Sequence, residues 1–299
     1  MLRKAYVALK TLGPRSLLTA VRQRILPERL QCYPDCRSFL EAQVGLEIGG
    51  PSTIFTRRGC IPVYPVAARI DNCNFDHRTV WEGTVEEGDT FVFDPHKAPG
   101  RQYVAEACEL GSIPDSAYDF VLSSHCLEHL ANPLQGLGEW IRVLKDDGLL
   151  VLIVPHKDGT FDHRRPVTSL AHLIQDFEAQ TTERDLTHLD EILELHDLAR
   201  DPEAGDAAAF AERSRRNYQN RCLHHHVFDT RLAVALVDHA RLQIFAVEPL
   251  RPYHIVVIAR KLRAGQARDN GRFIGVDRPP CWSSPFASDR SGSPLMRTP

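Results

Sequence analysis

Short apolar runs that end at polar residues or at glycine recur along the chain, with amphipathic stretches between several of them. Runs of this length bounded by turn residues are typical of buried strands. We predict strands over residues 44–48, 66–70, 91–93, 102–105, 120–122, 149–154, 243–247 and 254–259. Apolar residues at helical spacing predict helices over 133–144 and 230–239. Strands that alternate with helices favour a parallel sheet covered on both faces, and the last two strands can form an antiparallel hairpin on it.

The pattern also divides the chain into regions. Residues 1–40 are predicted to form an N-terminal helical segment, and residues 41–263 an α/β domain. Within that domain, residues 168–220 are helical in pattern and strongly charged, which predicts an inserted helical cap over the core. Residues 264–299 are rich in Gly, Pro, Ser, Arg and Asp and poor in apolar residues. Such a segment buries too little surface to offset its ordering entropy, so we predict a disordered tail.

The amino-acid composition and net charge limit the classes of protein to which this chain can belong. The chain has 43% hydrophobic and 25% charged residues, the balance of a globular protein, and its formal net charge of −3 gives no global attraction to nucleic acid. The 8 cysteines include no C-x-x-C pair, which favours reduced thiols. The sequence shows no cleavable signal and no stretch of membrane-spanning length, so we expect a cytoplasmic protein and no transmembrane segment. The sequence does not determine the oligomeric state, and a homodimer is one alternative.

The first candidate site is the stretch VGLEIGGPS, which runs from Val44 to Ser52. Glycine lets the backbone approach a ligand closely after a strand that contains an acidic residue. Here the chain resembles the class I S-adenosylmethionine-dependent methyltransferases, whose first motif is such a strand followed by G-x-G-x-G. Gly49 matches the first glycine, whereas Pro51 and Thr53 stand at the other two positions. The fingerprint G-x-G-x-x-G is absent, which argues against NAD or FAD. A plain tight turn after a core strand is the alternative interpretation.

A second stretch carries more of this resemblance. SIPDSAYDFVLSSHCLEHL over 112–130 and WIRVLKDDGLL over 140–150 are similar to the fourth-strand region, and to the turn that follows it, in the type 11 branch of the family. The order and spacing match from residue 44 to residue 155. The resemblance implies a Rossmann-like, doubly wound sheet, mostly parallel with an antiparallel C-terminal strand, plus a helical cap. It also implies S-adenosylmethionine as the cofactor.

The resemblance further implies which residues bind the cofactor. Asp71 would accept hydrogen bonds from the ribose hydroxyls, with Asp94 as the alternative, because one carboxylate can accept two such bonds. Glu106 would lie near the adenine, and Ser124 and His125 would face the sulfonium. The full implied set is Glu47, Gly49, Gly50, Pro51, Asp71, Glu106, Ala107, Ser124 and His125. The separation between Asp71 and Glu106 exceeds the family norm, which predicts an insertion around residues 81–100.

Residues 125–129 also read H-x-x-E-H, an inverted zinc-protease motif. That chemistry needs both histidines on one helix face, with the glutamate as base. Here the motif directly follows a buried strand, and Glu128–His129 is a common structural pair in the resembled family. We therefore predict no metal. A metal-dependent hydrolase that uses His125, Glu128 and His129 is one alternative, and a non-catalytic binding module with the methyltransferase fold is another.

Histidines in the loops after strands are the candidate catalytic residues. His125, His156 and His163 fall at the edge where ligands bind in a doubly wound sheet, and histidine suits proton removal at neutral pH. Each could instead cap a turn or form a hydrogen bond within the core. Adjacent residues such as those of the run 224–226 cannot all point to one site on a regular element.

The string FDHRRPVT over 161–168 resembles one found after the fifth strand in uncharacterised type 11 methyltransferases. Its Arg164 and Arg165 could clamp a carboxylate or phosphate on the acceptor, or could pair with acidic residues of the cap. The function that the sequence predicts is transfer of a methyl group from S-adenosylmethionine to O or N of a small-molecule or glycan acceptor.

Overall fold

The computed structural model describes residues 29–275 and 279–291. Its strands are β1 (Val44–Ile48), β2 (Arg69–Asn74), β3 (Arg78–Thr79), β4 (Gly83–Thr84), β5 (Gly88–Phe91), β6 (Gly100–Val104), β7 (Tyr118–Ser124), β8 (Leu144–Pro155), β9 (Gln243–Leu250) and β10 (His254–Arg260). In this part of the chain, one sheet has the order β5-β6-β2-β1-β7-β8-β10-β9, and β3 pairs with β4 in a separate hairpin. The hairpin and β5 occupy the region where the sequence predicts an insertion.

The helices are α1 (Tyr33–Cys36), α2 (Pro133–Val143), α3 (Leu170–Glu178), α4 (Leu189–Leu195), α5 (Ala207–Arg215), α6 (Asn217–Asn220), α7 (Thr230–His239), α8 (Gly271–Ile274) and α9 (Ala287–Ser291). The predicted helices at 133–144 and 230–239 are confirmed by α2 and α7. Both begin at a side-chain cap, since Asn132 accepts from the N–H of Gln135 and Asp229 accepts from the N–H of Leu232. None of the helices in the described ranges has the length and apolar character that crossing a bilayer requires.

The centre of the sheet is parallel and both of its edges are antiparallel. Strands β6, β2, β1, β7 and β8 run in one direction. At one edge β10 is antiparallel to both β8 and β9, which confirms the predicted mostly parallel sheet with an antiparallel C-terminal strand. At the other edge β5 is antiparallel to β6. Consecutive parallel pairing brings the carboxyl ends of these five parallel strands to one side of the molecule.

The two faces of the sheet are covered differently. Helices α2, α3 and α7 pack on one face in a core that includes the fully buried Trp140. The opposite face is covered by residues 30–67, with Phe55 and Tyr64 in the second core. Those residues contain α1 and two short 3₁₀ turns, and proline and glycine recur between residues 49 and 65. Because proline removes a donor and interrupts helices, the turn after β1 leads into the 3₁₀ turn Thr53–Phe55 instead of a helix.

The C-terminal region differs from the predicted disordered tail over 264–299. In the described part of that range Phe273 and Phe286 are buried. The buried carboxylate of Asp289 accepts a hydrogen bond from Thr230 Oγ1 at 2.6 Å. A few inward-facing residues are therefore enough to pack this segment against α7. Residues 1–28, which hold most of the predicted N-terminal helical segment, and residues 276–278 and 292–299 lie outside the described residues.

The contact between β1 and β7 provides a test of this packing. A methyl group added at Gly45 would lie 1.9 Å from Cε2 of Phe120, so the ring or the strand would have to move. We predict that Gly45→Ala lowers the free energy of unfolding by about 1–3 kcal/mol in urea denaturation.

Gly138 is the matched control, because it is exposed on α2 and no described atom lies within 4 Å of an added methyl group. Gly138→Ala should raise the free energy of unfolding by about 0.5–1 kcal/mol. Equal changes for the two variants would contradict the close packing of Gly45 on Phe120.

Candidate functional site

A cavity of about 580 Å³ opens where the carboxyl ends of β1, β2, β6 and β7 meet. The ends are in register, because Ile48 pairs with Cys73 on one side and with Ser123 on the other. One wall is formed by the turns that follow these strands. The opposite wall is formed by the cap and the residues directly after it, and it includes Arg213 and Arg221. This is the edge at which open α/β sheets bind their ligands.

The turn after β1 is held by side chains of β2. Gly49 has φ of +77°, a left-handed conformation that favours glycine. The N–H of Gly50 donates to Asn72 Oδ1 at 3.0 Å, and its carbonyl accepts from Asn72 Nδ2 at 3.2 Å and from Asn74 Nδ2 at 3.1 Å. These bonds explain why the polar segment Arg69–Asn74 forms a buried strand, whereas the apolar pattern places a strand at 66–70 that ends before Asp71.

Glu47 supports the same turn from beneath. Its buried carboxyl accepts hydrogen bonds from the Tyr64 hydroxyl at 2.6 Å and from the N–H of Ser52 at 2.9 Å. A methyl group on Gly50 would lie 2.3 Å from Glu47 Cδ, so the turn rests directly on this carboxyl. Glu47 and Gly50 therefore shape the turn, and the atoms that face the cavity belong to Gly49 and Pro51.

The structure does not bring Asp71 to the cavity. Asp71 lies inside β2, where its carboxylate accepts from Arg69 Nε at 2.6 Å, from the Tyr118 hydroxyl at 2.8 Å and from a backbone N–H of β6 at 2.8 Å. Asp94 also lies away from the cavity lining. The last residue of β2 is Asn74, and it lines the cavity at the place where the sequence interpretation put a ribose-binding acid.

The remaining predicted cofactor residues do meet in the cavity. Glu106, Ala107, Ser124 and His125 all line it. The Glu106 carboxylate forms an ion pair with Arg221, which directly follows the cap, and this pair joins the sheet edge to the segment that covers it. Arg221 and the apolar side chains of Phe75 and Trp81 were missed from the sequence, because no local pattern marks them as neighbours of Glu106.

Of the three candidate catalytic histidines, only His125 lines the cavity. It has φ of +53°, and its Nε2 lies 2.9 Å from Nδ1 of His254 on β10. Burial and, to a smaller extent, the neighbouring His125 together lower the pKa of His254 to about 3, so His254 is a neutral partner. This pairing fixes the His125 ring at the mouth of β7.

His156 and His163 have structural positions, which corrects their predicted catalytic role. His156 is fully buried, accepts from the N–H of Asp158 at 3.1 Å and stacks on Phe286 with ring centroids 3.9 Å apart. His163 lies outside the cavity lining, with Nε2 at 2.9 Å from Asp197 Oδ2. Both occupy the loop after β8, but the tail and the cap supply partners that turn them from the cavity.

Arg165 also has a structural role. Its guanidinium is 1% exposed and donates to Asp162 Oδ1 at 3.0 Å, to Glu191 Oε1 at 2.8 Å and to the carbonyl of His224 at 2.8 Å. Of the two interpretations of the FDHRRPVT string, the structure favours pairing with the cap for this arginine.

Two further histidines line the cavity. Burial and, to a smaller extent, the neighbouring His224 together lower the pKa of His129 to about 4. Burial alone would also lower the pKa of His224. The Asp162 carboxylate, 2.5 Å from its Nδ1, outweighs burial, so the pKa of His224 is raised. His224 was not among the residues predicted to line the site, because the run of three histidines at 224–226 is the one feature of the sequence that marks it.

The comparison with protein families agrees with this topology. Residues 88–152 match the sequence model of a family described as Methyltransferase domain. The match runs from β5 into β8 and includes the strand and turn that carry Ser124 and His125. Over these residues the chain is similar to a methyltransferase domain.

Solved structures with similar folds are distant in sequence. A SAM-dependent methyltransferase from Methanosarcina mazei is 19% identical with a TM-score of 0.45, and the alignment covers 78% of this chain and 99% of that one. Methyltransferases from Mesorhizobium loti and Aquifex aeolicus are each 13% identical, with TM-scores of 0.44 and 0.38. Their alignments cover 77% and 81% of this chain and 97% and 93% of theirs. No curated protein matches the chain.

The buried carboxyl beneath the turn generates a pH prediction. Burial raises the pKa of Glu47 from 4.5 to about 8, although the bonds from Tyr64 and Ser52 oppose that rise. Between these pH values the folded protein holds a proton that the unfolded chain has lost. The contribution of Glu47 to stability is therefore full below pH 4.5 and declines as pH rises towards 8.

We predict that Glu47→Gln, which removes this titration, gains stability relative to the unaltered protein as pH rises through that window, by roughly 3–5 kcal/mol in all. Urea denaturation at a series of pH values measures the difference. Glu87→Gln, at an exposed position, should follow the pH profile of the unaltered protein. A constant difference between Glu47→Gln and the unaltered protein at every pH would contradict a neutral buried carboxyl.

Proposed function

We propose that the chain transfers the methyl group of S-adenosylmethionine to an oxygen or nitrogen of a small-molecule or glycan acceptor that enters between the sheet edge and the cap. The observation that carries the proposal is the convergence of Gly49, Glu106, Ser124 and His125 on one cavity of about 580 Å³. A volume of this size is typical of small-molecule sites.

The chemistry of the cavity wall fits the cofactor. The left-handed Gly49 presents backbone without a side chain, so a ligand can approach the turn closely. Glu106, after β6, offers a carboxylate that can accept hydrogen bonds, and Asn74, the last residue of β2, offers an amide. Ala107 and Phe75 supply an apolar surface between them that suits an aromatic base.

The methyl donor supplies, when bound, an electrophilic methyl group on a sulfonium. The protein's own part is to orient the two reactants and to take the proton that the acceptor atom loses. Among the predicted catalytic histidines His125 alone lines the cavity, so we assign it the proton-accepting role, with His254 fixing its ring.

The acceptor side of the cavity supports a polar substrate. Asp201 and Arg213 reach it from the cap, and Arg221 and His224 reach it from the segment that follows the cap. The Arg213 guanidinium lies 3.3 Å from the Asp201 carboxylate. Hydroxyl and amino groups of a small polar molecule or glycan match such a lining, because they can both donate and accept hydrogen bonds.

Cofactor binding tests the assignment of Glu106. We predict that Glu106→Gln weakens the binding of S-adenosylhomocysteine about 10-fold in calorimetry, the loss expected for one hydrogen bond to a charged group. Asp94→Asn is the control, since Asp94 lies outside the cavity lining, and its affinity should stay within about threefold of the unaltered protein. Loss of affinity in Asp94→Asn alone would reverse the assignment.

Methyl transfer tests the role of His125. Panels of phenols, amines and sugars, with S-adenosylhomocysteine release as the readout, identify the acceptor class. With that acceptor, we predict that His125→Gln lowers kcat about 100-fold and leaves cofactor affinity nearly unchanged, as expected for removal of a base. His163→Gln, outside the cavity, should retain the full kcat. Equal activity of the two variants would remove His125 from the mechanism.

A further inference from the structure

Glu128, His129 and His224 converge beside the cavity from two separate parts of the chain. The first two belong to the 3₁₀ turn Leu127–His129 after β7, and His224 precedes α7. One ligand atom from each lies within 4.8 Å of the others, and Glu128 Oε1 is 3.8 Å from His129 Nε2. Three atoms no farther apart than this share a point within about 2.8 Å of each, so small rotations would reach the 2.0–2.2 Å of zinc–nitrogen and zinc–oxygen bonds.

The Glu128 carboxylate is buried and has no hydrogen bond of normal length among the described residues. It is 1% exposed, and neither of its oxygens accepts a hydrogen bond from any described residue. The nearest nitrogens are Nδ1 of His125 at 3.6 Å and Nε2 of His129 at 3.8 Å, both too far for a hydrogen bond. A buried carboxylate is stable when it is paired or bound to a cation.

The two imidazoles are already oriented as ligands. Nδ1 of His129 lies 2.9 Å from the carbonyl of Leu223, which can only accept, so Nδ1 carries the hydrogen and Nε2 keeps its lone pair. Nδ1 of His224 lies 2.5 Å from Asp162 Oδ2 and donates in the same way. Metal-binding histidines almost always donate their other ring N–H to a carbonyl or carboxylate in this manner.

We infer that Glu128, His129 and His224 bind a divalent transition-metal ion of the zinc or iron class in the wall of the cavity. Two imidazoles and one carboxylate suit these ions and leave further coordination positions open. Because His129 and His224 line the cavity, the open positions face the acceptor. The ion would bind an acceptor with two adjacent oxygens, such as neighbouring sugar hydroxyls, and this last step rests on the proposed methyl transfer.

A second histidine group supplies a control within the same chain. His172, His188 and His226 also place ligand atoms within 4.8 Å of one another, and Nε2 of His172 is 3.0 Å from Nε2 of His188. None of the three lines the cavity. Substitution of His188 therefore removes a histidine of similar surroundings without touching the inferred site.

The test is metal binding by the full chain after treatment with a chelator. Calorimetric titration with Zn²⁺ should include one equivalent that Glu128→Gln and His224→Gln each weaken at least about 100-fold, whether or not the group His172, His188 and His226 binds a further ion. His188→Gln should keep that equivalent with a Kd within about threefold. Circular dichroism confirms that each variant is folded, and Co²⁺ absorption bands that disappear in Glu128→Gln and persist in His188→Gln provide a second readout. The inference is overturned if the unaltered protein binds no Zn²⁺, or if Glu128→Gln and His224→Gln bind it unchanged.

Calorimetry with S-adenosylhomocysteine separates this inference from the proposed function. Cofactor binding by a protein that takes up no Zn²⁺ would leave methyl transfer standing and remove the metal site. Zn²⁺ binding at Glu128 without any cofactor binding would leave the metal site standing and remove the proposed methyl transfer, because the metal ligands do not depend on the glycine turn.

Discussion

The hydrogen bonds buried around Gly50 determine the shape of the cavity. In many nucleotide-binding sheets a helix follows the first strand and its N-terminus fixes the turn. Here a 3₁₀ turn takes that place, and the Glu47 carboxyl from beneath and the Asn72 amide from the side hold the backbone instead. Each group is buried and has partners, so the turn is fixed by bonds that would be costly to leave unmade.

The same network explains where sequence analysis succeeded and where it failed. Strand β1 and helices α2 and α7 follow apolar periodicity, which determines burial directly, and their bounds were predicted closely. Strand β2 has a polar interior, because Asn72 and Asn74 face groups supplied by another strand. Hydrophobic pattern carries no record of such partners. The predicted strand therefore ended too early, and Asp71 was assigned to the ligand instead of to Tyr118 and Arg69.

Histidine roles show the same limit at longer range. His125, His156 and His163 are alike in sequence, since each follows a strand of the sheet. Their different surroundings come from distant residues: His254 for the first, Phe286 of the tail for the second and Asp197 of the cap for the third. The run at 224–226 divides likewise, with His224 beside Glu128 and His226 beside His172. The backbone of this run is irregular, so the side chains of adjacent histidines can point to different sites. The rule that adjacent side chains cannot all point to one site holds only for regular elements.

The residues that match the family model lie on one side of the cavity, and this bears on which side binds the methyl donor and which binds the acceptor. The matched residues 88–152 contain the turns that carry Glu106, Ser124 and His125. The glycine turn lies before the match. Arg213 of the cap, and Arg221 and His224 just beyond it, lie after the match. In our proposal the cofactor rests mainly on the sheet edge and the acceptor meets the cap. Features shared with the family then lie where the common donor binds, and the residues that choose the acceptor lie in the segment that the family model does not describe. The ion pair between Arg221 and Glu106 joins these two sides of the cavity, so in our proposal it connects the donor side to the acceptor side.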